Sequence, residues 1–155
     1  MVEEWQRGEY VVSTDPARLD LDVIHRFLRR SYWAGDHLPR EVVERAVAHS
    51  LNFGVYLGDT QIGNARVITD EATFAYVADV FVLEEHRGKK LAVWLMECVA
   101  AHPRLQNLRR WMLGTRDAHA LYEKTGFTRM KADDERWMER ADPNVYERLK
   151  REAGG

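Results

Sequence analysis

The chain has a single cysteine, Cys98, so no disulfide can form within it. Cys98 falls inside a helical apolar pattern and reads as a small core residue rather than a nucleophile. No apolar run approaches the ~20 residues that a membrane span needs. Charge of one sign is also lacking. Lys and Arg number 23 and Asp and Glu 25, a net charge of −2. Such a balance gives the whole chain no electrostatic case for nucleic acid or an anionic membrane. Low-complexity segments and fixed-period repeats are missing too. The six histidines and one cysteine are scattered, so no metal constellation is expected. The first residues are acidic and lack an apolar signal core, which sets a cytoplasmic expectation.

What is present fits one globular domain spanning residues 1–155. Hydrophobic content is 45% and charged content 31%, as in ordinary soluble proteins. Residues 9–14 read as a short strand closed by Asp15-Pro16. Asp20 or Asp22 can cap a helix that carries Val23, Ile24, Phe27 and Leu28. Pro39 suits the first turn of a second helix, with Val42, Val43, Ala46, Val47 and Leu51 on one side. Three strands are expected next, over 52–57, 61–68 and 73–82, with Gly58-Asp59 turning the first hairpin. A helix from Leu91 should stop near His102-Pro103. A strand at 111–115, a helix at 118–124 capped by Asp117 and a further strand from Phe127 complete the order β-αα-βββ-α-β-α-β. The class is α+β, with a mixed, mostly antiparallel central sheet flanked by helices. The helix crossover should make the strands 73–82 and 111–115 parallel.

The chain is organised around residues 76–99. An apolar strand feeds a short basic turn, Arg87-Gly-Lys-Lys90, and then a helix. The first N–H groups of that helix lack intrahelical partners and carry partial positive charge. Such a turn is a seat for phosphate or pyrophosphate.

Two segments resemble the GCN5-related N-acetyltransferases, the GNAT family. Residues 80–92 are similar to its acetyl-CoA motif, Arg/Gln-x-x-Gly-x-Gly/Ala, with Arg87 first and Ala92 last. Residues 118–127, Ala-His-Ala-Leu-Tyr-Glu-Lys-Thr-Gly-Phe, are similar to its late helix. The likeness covers about Tyr10 to Met130. It departs from the family at Lys90, where Gly is usual, and at Thr115, where Asn is common. Lys90 is expected to take ordinary helix-start dihedrals and point outward.

The resemblance implies an acetyl-CoA-dependent transferase acting on an amine of a small molecule. Other implied readings are an acyltransferase for a protein or peptide amine, and a non-catalytic acyl-CoA-binding domain. Val80, Phe81 and Val82 would pair with the pantetheine arm. The Val82 N–H would serve the thioester oxygen. Arg87, Gly88, Lys89, Lys90, Leu91 and Ala92 would hold the pyrophosphate. Tyr122 is carried over as general acid to the departing thiolate.

The general base stays open. Asp79 interrupts an apolar strand, where a carboxylate is costly without a purpose or partner. It reads equally as a base or as a structural Asp bonded to backbone or Arg. His37 and His119 are the other choices. Tyr32, Trp33, Asp36, Phe74 and Tyr76 are candidates for an acceptor site, whose aromatic and acidic lining would suit a cationic amine. Core packing is the simpler account of Phe74 and Tyr76. No metal, nucleic acid or membrane partner is expected, and the pattern leaves room for a homodimer.

Overall fold

The computed structural model describes residues 1–31, 34 and 37–154. Tyr32, Trp33 and Asp36, three of the acceptor-site candidates, lie outside the described residues. Six strands form one sheet in chain order: β1 (Glu4–Arg7), β2 (Tyr10–Ser13), β3 (Leu51–Leu57), β4 (Thr60–Thr69), β5 (Phe74–Val82) and β6 (Arg110–Leu113). Neighbours are antiparallel except β5 and β6, which run parallel. The helices are α1 (Leu21–Leu28), α2 (Arg40–Ala48), α3 (Leu91–Ala101), α4 (His119–Glu123) and α5 (Val145–Gly154).

Local chemistry explains these elements. The Asp20 carboxylate accepts from the N–H groups of Asp22 and Val23, so Asp20 caps α1. Pro39 precedes the first turn of α2, where a missing N–H costs nothing. α3 buries Leu91, Trp94, Leu95, Met96, Cys98 and Val99. It covers one face of the sheet, against Phe53, Val55, Ile62, Ala65 and Val77. α1 and α2 cover the other face, where Ile24, Leu28, Leu38 and Val43 meet Phe81. The helix α5 buries none of its own residues, although Tyr146 packs against the α1–α2 cluster.

Four sequence expectations need correction. The N-terminal strand is one arm of a hairpin, since β1 pairs with β2 around Gly8 at φ 59°. β1 was missed because its side chains are mostly exposed and show little alternation. The α2 helix ends at Ala48, and Leu51 opens β3. Asp117 does not cap α4; the Thr115 hydroxyl accepts from the Ala118 N–H at 3.0 Å. Residues 127–130 form no strand, for Thr128, Arg129 and Met130 are exposed and bury no apolar face.

Candidate active site

The β5 strand outruns its parallel partner. Pairing with β6 ends at Val77 and Leu113, while β5 continues to Val82. Among the described residues, no strand pairs with 78–82 on that side, which leaves an open edge. The antiparallel ladder to β4 decides which groups face it. The Leu83 N–H donates to the Ile62 carbonyl at 2.8 Å, so Leu83 points its backbone groups toward β4. Backbone direction alternates along a strand, so those of Val82 point away from β4. The Val82 carbonyl accepts from Arg87 Nε at 3.1 Å, in keeping with that direction. Its N–H is left toward the open edge.

A bulge sits within this stretch. Ala78 opposes Arg66 but Phe81 opposes Asn64, so β5 carries one residue more than β4. Asp79 takes φ 53° there. Its carboxylate accepts from Arg66 Nε at 2.6 Å, with 13% and 5% of the two side chains exposed. The Asp79 carbonyl accepts from Asn64 Nδ2 at 3.1 Å. Of the two sequence readings of Asp79, this geometry is that of a carboxylate bound to Arg.

The basic turn follows at once. Gly88 and Lys90 take φ 83° and 60°, in alternation with ordinary neighbours. Such alternation turns successive N–H groups to one side and makes a concavity for an anion. Lys90 is the N-cap of α3 and gives no side-chain cap, so the first N–H groups of that helix stay open. The expectation of ordinary dihedrals at Lys90 is thus overturned. The chain must leave the turn and enter α3 through a left-handed step, which Gly takes without penalty and Lys does not. The Lys90 side chain is exposed, as expected.

Side chains brace the turn from a distance. Lys89 Nζ donates to the Tyr10 hydroxyl at 3.0 Å, and that hydroxyl lies 3.1 Å from His86 Nδ1. An ammonium only donates, so the tyrosine oxygen accepts from Lys89, and the His86 tautomer sets the direction of the second bond. Nothing in the sequence signals this contact, which spans β2 and the turn. Asn64 and Arg66 were also missed; their only signal is polarity inside an apolar strand.

Tyr122 comes from α4 and joins the same buried cluster as Val82 and Leu91. Its ring meets Phe127 edge-on, with centroids 6.0 Å apart. Burial pushes its phenol up to about 12, so it stays protonated through the neutral range. Helix α4 ends at Glu123, and the chain turns away through Gly126 at φ 97°, where the Phe127 N–H returns to the Tyr122 carbonyl. A cleft runs along β6 and α4, lined by Met112, Gly114, His119 and Tyr122. It does not reach Val82 or the basic turn.

The other candidates divide. Tyr76 is 38% exposed, and its hydroxyl stands 3.7 Å from where a Cβ on Gly114 would be, just past β6. Phe74 sits at the other end of β5, beside Arg109 and Trp137. At ~3.3 Å per residue that is roughly 26 Å from Val82, so the structure does not bring Phe74 to the edge. His37 is exposed and His119 half-buried. Cys98 is buried, and burial pushes its thiol up to about 12, which fits a core residue. Among the described residues no cluster suited to a metal is found, and no helix is long and apolar enough to cross a membrane.

Comparison with known proteins agrees with this geometry. The family model described as an acetyltransferase (GNAT) domain matches residues 48–129. A protein of Gibberella zeae, named as a candidate acetyltransferase, is 37% identical over 143 residues, 79% of this chain and 80% of that protein. A crystal structure of a candidate GNAT acetyltransferase from Xanthomonas campestris pv. campestris is 46% identical. It covers 91% of this chain and 99% of its own, with a TM-score of 0.84. A candidate acetyltransferase from Clostridium acetobutylicum, solved with acetyl-CoA, shares the fold alone. Its identity is 15% and its TM-score 0.58, over 91% of this chain and 96% of its own. Taken with the open edge beside an uncapped basic turn, the match over residues 48–129 makes this chain a member of the GNAT acetyltransferase family.

Proposed function

We propose that the chain moves the acetyl group of acetyl-CoA to an amine of a small molecule by direct attack. The observation that carries this reading is the unpaired edge of β5, residues 78–82, leading into the open N–H groups at the start of α3. An extended pantetheine arm fits such an edge, because amides along it would complete the strand's pairing. A pyrophosphate fits the concavity at Gly88 and Lys90, with residues 87–92 supplying N–H groups.

Acetyl-CoA supplies an activated acyl carbon. The chain's own groups then act on what changes during transfer. The Val82 N–H meets the carbonyl oxygen as it gains negative charge, which is where a fixed donor lowers the barrier most. The Tyr122 hydroxyl gives its proton to the departing sulfur. A phenol held up near 12 is present in the donor form at any working pH. The attacking amine must arrive neutral, since an ammonium has no lone pair, and the proton it sheds as the C–N bond forms and the C–S bond breaks passes to water. Tyr76, exposed beside the end of β6, supports an aromatic wall on the acceptor side. Tyr32, Trp33 and Asp36 complete that side in this reading, as an aromatic and acidic lining suits a cationic amine.

Calorimetry with acetyl-CoA, CoA and ATP tests the reading, followed by a panel of amines read by free-thiol release. Acetyl-CoA and CoA are expected to bind well above ATP, and at least one small amine to release thiol. No measurable acetyl-CoA binding would overturn the proposal. Binding with turnover on peptide amines alone would replace the acceptor class.

A further inference from the structure

We infer that Asn64 and Arg66 are positioning residues for acetyl transfer, and that Asp79 serves them as a conformational key rather than as a base. This rests on the acetyl-transfer reading above and goes beyond it.

The argument starts from side-chain order along β5. Ala75 and Val77 face the α3 core, and so do Val80 and Val82, while Phe81 faces α1. Strict alternation would put Val80 and Val82 opposite Val77. The extra residue at Asp79 reverses the order. A one-residue slip exchanges both faces and edges for everything beyond it. Without the bulge, the Val82 N–H would point at β4 and not at the open edge, and Phe81 would turn into the α3 side.

The bulge is held by force of contact, since Asp79 is an L residue at φ 53°. Two contacts hold it, and further bonds anchor the two side chains that make them. Asn64, fully buried, donates its amide to the Asp79 carbonyl. Arg66 Nε donates to the Asp79 carboxylate. Arg66 Nη1 also donates to the Ser50 hydroxyl at 3.1 Å, which anchors it just past α2. Asn64 is anchored in turn. Its Oδ1 accepts from Gln61 Nε2 at 3.3 Å, and Gln61 Oε1 accepts from the Asp20 N–H at 2.7 Å. So the bulge is gripped from β4 by two side chains, each tied to one end of the α1–α2 layer. A carboxylate so engaged gives its lone pairs to holding shape, and asparagine would do the same work. Asn tolerates positive φ and still accepts from Arg66. Alanine does neither.

The test compares Asp79→Asn, Asp79→Ala and Asn64→Leu in acetyl-CoA turnover. Acetyl-CoA affinity by calorimetry and folding by circular dichroism are measured on each. Asp79→Ala and Asn64→Leu are expected to lose at least tenfold in kcat. Asp79→Asn is expected to rescue the position, keeping at least a third of the wild-type kcat and the wild-type pH profile. Asp79→Asn at a tenth of wild type or less, in a folded protein that binds acetyl-CoA and has lost the acidic limb of its profile, would make Asp79 a base and overturn the inference. Should Asp79→Ala not fold, Asp79→Asn alone decides. Failure of the wild type to bind acetyl-CoA overturns the acetyl-transfer reading instead.

Discussion

Phe27 lies flat on Phe81, with ring centroids 4.0 Å apart and planes 14° from parallel. The stack joins α1 to the end of β5, immediately beyond the bulge. Phe81 is 4% exposed. Truncating it removes a buried ring and leaves a cavity. Phe81→Ala should cost about 3–5 kcal/mol, measured by urea unfolding.

Lys90→Gly should stabilise the protein. A left-handed L residue costs roughly 1–2 kcal/mol, and the added chain entropy of glycine offsets about 0.5–1 kcal/mol of that relief. A net gain of about 0.5–1 kcal/mol is expected in urea unfolding. A loss of stability would mean that the Lys90 side chain contributes more than its dihedral costs.

Tyr122→Phe keeps the ring and removes the proton. It should lower kcat at least tenfold while leaving acetyl-CoA affinity within about twofold, read by thiol release and calorimetry. Because burial holds the phenol near 12, the wild-type kcat should show no descending limb from Tyr122 up to about pH 10.

His102 is 1% exposed, and burial lowers its pKa below the ordinary 6.5. Its Nδ1 accepts from the Arg104 N–H, which fits a neutral ring. The folded state therefore binds fewer protons here than the unfolded state. That contribution to stability is intact above about pH 6.5, weakens as the pH falls and levels off once the folded ring itself charges. Urea unfolding at pH 7.5 and 5 should show the loss in the wild type. His102→Gln should show a smaller difference between the two pH values.

Gly63→Ala should be damaging although its φ is ordinary. A Cβ there would meet the Phe81 carbonyl at 2.8 Å and Val55 at 3.0 Å. Both lie in the sheet and cannot move aside cheaply. A loss of about 1–3 kcal/mol is expected from overpacking, measured by thermal or urea unfolding.

The central meander, α3 and the parallel β5–β6 pair were legible because apolar spacing is a strong signal over eight or more residues. The basic turn was legible as a turn between strand and helix, since charge stood out between two apolar runs. β1 was not, because four mostly exposed residues carry little pattern. The dihedral of Lys90 was not, since it depends on how the turn folds back to Val82 through Arg87. The bulge lay beyond reach as well. Residues 73–82 read as one unbroken strand, and the extra residue shows only when β4 is laid beside it. Asp79 reads equally as a base or a structural acid in sequence, and its bond to Arg66, thirteen positions earlier, shows only when β4 and β5 are paired.

The shortness of β6 has one more consequence. Val82 sits in a strand, yet its amide points where, among the described residues, no neighbouring strand reaches. Along residues 78–82 the sheet is finished on one side only. A ligand lying on that edge would act as the missing strand, so binding would add to the fold. Amide exchange at Val82 should then be as fast as in a loop in the free protein and slow sharply when acetyl-CoA is bound, while Val77, already flanked by β4 and β6, should hardly change.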